Sequence, residues 1–115
     1  MPQQYPLVQG KIPGSWEEVR VAQALDYHNL PYRYQVPIRG GRRLRGGIVV
    51  DFVVSAPFDT PVEVFGGYWH EGQLAEDDKL KLAIEAQIFG RLAITIWDWQ
   101  IPDQEAANRL IERLF

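Results

Sequence analysis

Apolar and polar positions change period several times along the chain, and the changes divide it into elements. Residues 1–14 carry Pro2, Pro6, Gly10, Pro13 and Gly14 with little periodicity and read as an N-terminal arm lying along the domain. Ser15 then offers an N-cap, and Glu17 and Glu18 occupy the first turn, where carboxylates suit the helix dipole. A helix is predicted from about Trp16 to about Asn29, with Val21, Ala22, Leu25 and His28 or Asn29 as its inward stripe. Glu18 precedes the first three by helical spacings and so tilts toward the core, whereas Glu17 stands three residues from Arg20, the spacing of a solvated ion pair.

The stretch Tyr32 to Ile38 alternates and is rich in aromatics, which predicts a strand. A glycine-bounded loop follows from Gly40 to Gly47. Ile48 to Val54 is apolar on both faces except at Asp51, the pattern of a central buried strand. After a turn at residues 55–60 a further strand runs from Val62 to Phe65. Leu80, Ala83, Ile84, Gln87 and Ile88 mark the inward stripe of a helix from about Leu74 to Phe89, stopped by Gly90. Leu92 to Trp97 reads as another buried strand. Beyond Pro102, a last helix from Glu105 to Leu114 turns Ala106, Leu110, Ile111 and Leu114 inward. The order α-β-β-β-α-β-α over residues 15–115 predicts a single α/β domain, a mixed sheet flanked by helices.

Composition narrows the chemistry. The 115 residues are 46% hydrophobic, enough to form one core without metals or disulfides, and most of the chain cannot be disordered. With no Cys there is no disulfide scaffold, Cys-ligated zinc, iron–sulfur cluster or thiol nucleophile. The apolar runs are far shorter than the ~20 residues of a membrane helix, and the first residues lack a basic and apolar leader pattern, so the expectation is a cytoplasmic protein with no membrane partner. The net charge is −3, but from Tyr27 to Val50 there are five arginines (Arg33, Arg39, Arg42, Arg43, Arg45) and no acid. An arginine cluster in an otherwise acidic chain is either a phosphate-binding loop or a solvated hairpin tip.

Asp51 is the most informative residue, because a carboxylate in an apolar central strand is costly unless paired, hydrogen-bonded or metal-bound. If the turn sets Val54 opposite Thr60, Asp51 falls opposite Glu63 on the same face. Two carboxylates so placed suit Mg²⁺ or Mn²⁺, with Glu18 as a third acid. The alternatives are an Asp51 satisfied by backbone hydrogen bonds and a Glu63 facing solvent on an edge. His28, at a helix end, reads as structural. No P-loop or Rossmann-type glycine loop is present.

The run Val49-Val50-Asp51-Phe52-Val53-Val54, followed by Val62-Glu63-Val64-Phe65-Gly66-Gly67-Tyr68-Trp69-His70, resembles the PD-(D/E)xK nuclease superfamily. Within it, the likeness is to the branch of very-short-patch mismatch repair endonucleases and related phage and bacterial proteins. It extends from Ser15-x-x-Glu18 through Tyr34-Gln35 to Ile96-Trp97-Asp98. The resemblance implies a restriction-endonuclease-like fold and a Mg²⁺-dependent DNA endonuclease, with structure or mismatch selectivity among its options. Asp51 matches the invariant metal-binding aspartate and Glu63 the acid of the E-x-K element, and the Val64 backbone carbonyl would complete the metal shell. Glu18 matches the first-helix glutamate that reaches the metal through water, and His70 the histidine beside the scissile phosphate. Phe65 departs from the pattern by replacing the lysine of E-x-K. The lysine's task would pass to His70, or to Lys79 or Lys81 from the next helix, although Lys81 also stands four residues from Asp77, where a surface ion pair is its ordinary use.

The expected partner is DNA, held at its backbone by Arg39, Arg42, Arg43 and Arg45. Cutting both strands takes two sites, so a homodimer belongs among the arrangements to test. Two rivals stand beside this reading: a non-catalytic nucleic-acid-binding or phage assembly protein that kept the fold after losing the lysine, and a metal-dependent hydrolase of small phosphate esters.

Overall fold

The computed structural model describes residues 5–39, 48–66 and 76–115. Helix α1 spans Trp16–Tyr27. It starts where the Ser15 hydroxyl accepts the Glu18 N–H at 3.2 Å, and it ends before Asn29, whose φ of 57° is a left-handed conformation that asparagine tolerates. His28 therefore falls beyond the helix and not in its inward stripe, and its Nε2 donates to the Asn108 carbonyl at 2.8 Å. The strands are β1 (Tyr32–Ile38), β2 (Ile48–Ser55) and β3 (Asp59–Phe65). After them come helix α2 (Glu76–Phe89), strand β4 (Ile94–Trp97), a 3₁₀ turn at Asp98–Gln100 and helix α3 (Gln104–Leu114), which is capped by Asp103. Leu74, where the spacing starts the second helix, lies outside the described residues.

This is the predicted α-β-β-β-α-β-α order in an α/β fold. The four strands lie in the order β1-β2-β3-β4, with β1–β2 and β2–β3 antiparallel and β3–β4 parallel, so the sheet is mixed. Strand β2 is central as expected. Strand β4, which the sequence presents as buried, is an edge strand, and Leu92 precedes it fully in solvent at 82% exposure.

One sheet face is apolar. Tyr34, Phe52, Val54, Val62 and Ile96 form a single cluster there with Val21, Ala22 and Leu25 of α1 and Ala107, Leu110 and Ile111 of α3. Leu114, expected to face inward, is 38% exposed at the helix end. The segment before α1 closes the outer edge of β1 with side chains: Gln9 accepts the Tyr34 N–H and donates to the Tyr32 carbonyl, and Lys11 donates to the Tyr34 carbonyl. This leaves fewer free backbone groups for a foreign strand to pair with.

The second face is covered differently from expectation. The stripe Leu80, Ala83, Ile84, Gln87, Ile88 does not point inward, since Leu80 is 62% and Ile88 46% exposed, and the fully buried residue of α2 is Glu85. Alternation along β2 and β3 puts Asp51 and Glu63 on this face, where Lys81 of α2 meets them. Charge pairing, not apolar burial, therefore sets the rotation of α2. Among the described residues no helix is long and apolar enough to cross a membrane.

Candidate metal and catalytic site

Ladder pairing fails on both sides of Asp51. Toward β1 the register runs through Tyr34↔Phe52 and resumes at Val36↔Val50, passing over Gln35 and Asp51, and Gln35 has a φ of 51° in mid-strand. A positive φ at a non-glycine residue in a strand is strained and persists only where its surroundings hold it. Toward β3, pairing covers Ser55↔Asp59 to Phe52↔Val62, the register the hairpin predicts, and then stops. Side chains replace the backbone bonds there: Asp51 N–H donates to Glu63 Oε1 at 3.3 Å, and Val64 N–H donates to Asp51 Oδ2 at 2.8 Å. The two carboxylates thus lie between parted strands. Val64 takes part through its N–H, a contact the sequence reading did not foresee.

Burial, and then the neighbouring Glu63, pushes the Asp51 carboxyl up to about 7. Burial, and then contact with the carboxyl of Glu85, pushes Glu63 up to about 8, against the pull of Lys81. Lys81 Nζ lies 3.0 Å from Glu63 Oε2 and donates its hydrogen bond to Oε1 at 3.1 Å. Burial works against the charge on Lys81, but Glu63, Asp51 and Glu85 outweigh it and leave the ammonium above its ordinary value. The use expected of Lys81, a surface pair with Asp77, is therefore not the one observed. Lys79 is instead the surface residue, paired with Glu76 at 3.2 Å.

Glu18 reaches the same region from α1. Its carboxylate accepts from the Tyr34 hydroxyl and lies 3.3 Å from the Ser15 hydroxyl, and Gln35 in turn donates to the Tyr34 oxygen. Burial raises the Glu18 carboxyl and the charge of Asp51 raises it further, while the Tyr34 hydrogen bond opposes them. A Cβ at position 14 would stand 2.8 Å from Glu18 Oε2, so glycine is what lets the carboxylate lie there. Glu17 keeps the surface role read from spacing, 3.9 Å from Arg20.

Asp51, Glu63 and Lys81 are thus brought together, and Glu18 lies near enough to feel the charge of Asp51. Phe65, where the resemblance would place a lysine, packs against Trp97 with ring centroids 5.3 Å apart. Arg39 is exposed just past β1. Arg42, Arg43, Arg45 and His70 lie outside the described residues. Two participants escaped the sequence reading: Tyr34, whose hydroxyl anchors Glu18, and Glu85, which nothing but its i+4 spacing from Lys81 links to the site.

Among the described residues no group of three His, Asp, Glu or Cys side chains is arranged to hold an ion. Asp51 and Glu63 nonetheless fit Mg²⁺ or Mn²⁺, because Mg²⁺ keeps several waters and needs only one or two carboxylates, and because Glu63 Oε2, which faces Lys81 Nζ at 3.0 Å, accepts no hydrogen bond. Compared with protein-family models, with curated proteins and with solved structures, the chain matches none.

Proposed function

We propose that the chain is a Mg²⁺- or Mn²⁺-dependent endonuclease hydrolysing phosphodiester bonds of DNA, on a restriction-endonuclease-like fold of the PD-(D/E)xK superfamily. The observation that carries this reading is the parting of β2 and β3 at Asp51 and Glu63, where a half-buried and a buried acid take the place of backbone pairing. A structural role would be met by apolar residues at lower cost.

Asp51 and Glu63 would hold the ion, which supplies a water of lowered pKa and polarises the phosphate. Val64 N–H orients Asp51. Lys81, held charged beside Glu63, is the cation that stands in for the lysine missing at Phe65, and it stabilises negative charge developing on the phosphate. Glu18, fixed by Tyr34, orients water at the edge of the site. His70 keeps the proton-handling role that the resemblance gives it. Arg39, with Arg42, Arg43 and Arg45, would hold the DNA backbone without reading sequence.

The test is incubation of supercoiled plasmid with the purified chain and Mg²⁺, beside a nucleotide phosphodiester. Nicking of the plasmid that stops with EDTA is expected, with little turnover of the nucleotide. The reverse preference would favour a small-ester hydrolase, and DNA binding without cleavage in any divalent metal would favour the non-catalytic rival. In the same assay Glu18→Gln is expected to lower the rate about 10- to 100-fold, the usual cost of removing a residue that acts one layer from a metal. Glu17→Gln should stay within about twofold, because Glu17 makes only a loose, half-buried pair with Arg20 at 3.9 Å. Equal effects from the two would contradict the role given to Glu18.

A further inference from the structure

We propose that the outward face of helix α2 is a docking surface for a second copy of this chain, the two helices packing antiparallel about a twofold axis at Ile84. Lys81 reaches Glu63 from α2 and Glu85 is buried, which turns the opposite side of the helix to water. That side carries the apolar stripe: Leu80 is 62% and Ile88 46% exposed, with Ile84 half-buried between them. Members four residues apart follow one another along the helix surface, over about 12 Å at 1.5 Å per residue. Phe58, 64% exposed, lies 5.1 Å from the Arg91 guanidinium at the C-terminal end of α2 and extends the patch. Contiguous apolar surface marks an interaction site, whereas apolar residues scattered singly do not.

Charge selects the occupant. The first turn of α2 carries Glu76, Asp77 and Asp78, which repel a phosphate backbone and suit a protein partner. At the other end stands Arg91, exposed just past Gly90, whose φ of 71° ends the helix. None of the ion pairs among the described residues involves Asp77 or Arg91. The Arg91 guanidinium meets only the Thr60 hydroxyl, at 3.2 Å, and the Phe58 ring. In an antiparallel pair that sets Ile84 against its own copy, Leu80 falls opposite Ile88, equally far along the chain on the other side, and Asp77 falls opposite Arg91 in the same way. Asp77 also lies within about 20° of Ile84 around the helix axis. The twofold repeats each of these contacts and opposes the two helix dipoles, so one helix supplies both halves of a self-complementary surface. A single helix face is small beside the ~800 Å² per partner of a stable interface, which sets the expected Kd on the order of 10 to 100 μM.

The pairing rests on α2 and not on the proposed nuclease activity, so sedimentation velocity of the full chain without metal or DNA tests it alone. Over loadings from about 1 to about 300 μM, a range that brackets a weak interface, the wild type is expected to pass reversibly from monomer to dimer. Leu80→Lys, at an exposed position, should raise Kd about tenfold or more. Asp77→Arg and Arg91→Asp should each do the same alone, because each sets like charges against one another twice. Mixed in equal amounts, these two variants should recover the dimer, since every arginine of the mixed pair then faces an aspartate. Recovery on mixing also shows that neither variant had lost its fold, and Leu80→Lys tests the face without touching either charge. A wild type that stays monomeric throughout, or a dimer that Leu80→Lys leaves unchanged, would overturn the proposal. A dimer weakened by Leu80→Lys but indifferent to Asp77→Arg would overturn the antiparallel register.

Discussion

Asp51→Asn is expected to lower Mg²⁺-dependent cleavage by about 10³-fold while making the metal-free protein more stable at neutral pH. The loss corresponds to several kcal/mol of charge stabilisation at 1.36 kcal/mol per tenfold in rate. The gain follows from the environment of the carboxyl. Its ordinary value is 3.8, and burial followed by Glu63 raises it to about 7 in the folded chain. Between those values the folded protein holds a proton that the unfolded chain has released. Stability is therefore fullest below about pH 4 and falls as pH rises toward 7. Asparagine needs no proton, still accepts from Val64 N–H and adds a donor facing Glu63. The advantage of Asp51→Asn in thermal melts should accordingly grow from pH 4 to pH 7, reaching on the order of 2 kcal/mol, or about 10 °C for a chain of this size. Wild-type cleavage by the variant would contradict the site, and a melting difference independent of pH would contradict the electrostatic account.

Lys81→Met should lower kcat for DNA cleavage by about 10²-fold, the scale of removing one preorganised charge donor, with KM changed less than about threefold. Lys79→Met should leave both constants within about twofold, because Lys79 makes only an exposed pair with Glu76. Steady-state kinetics on a labelled duplex compares the two directly. The contrast follows from the 3.0 Å approach of Lys81 to Glu63. Equal losses, or a larger loss for Lys79→Met, would show that Lys81 is not the cation acting in place of the residue missing at Phe65.

The register that opposes Asp51 to Glu63 was legible because a hairpin with period-two strands admits one pairing once its turn is placed, and Val54↔Thr60 is the pairing observed. The inward tilt of Glu18 and the surface place of Glu17 were legible from helical phase for a similar reason. The parting of the strands was not, since it depends on two side chains displacing backbone partners. The Tyr34–Glu18 hydrogen bond joins residues 16 apart and leaves no periodic trace. Helix α2 misled because its most regular stripe, Leu80, Ile84 and Ile88, is apolar. Its orientation is decided instead by Lys81 reaching Glu63 on another element, an interaction no local pattern encodes. Position β4 at the sheet edge likewise depends on how the α2 crossover returns the chain beside β3.

The central claim is that the opening between β2 and β3 is a divalent-metal site, and anomalous diffraction from crystals soaked in Mn²⁺ tests it most directly. The account predicts a strong peak between the Asp51 and Glu63 carboxylates, at the roughly 2 Å separations of hard-cation ligation, and absent from crystals of Asp51→Asn. Crystals saturated with Mn²⁺ that show no density between these two side chains, or whose only peaks lie on exposed surface acids, would contradict it.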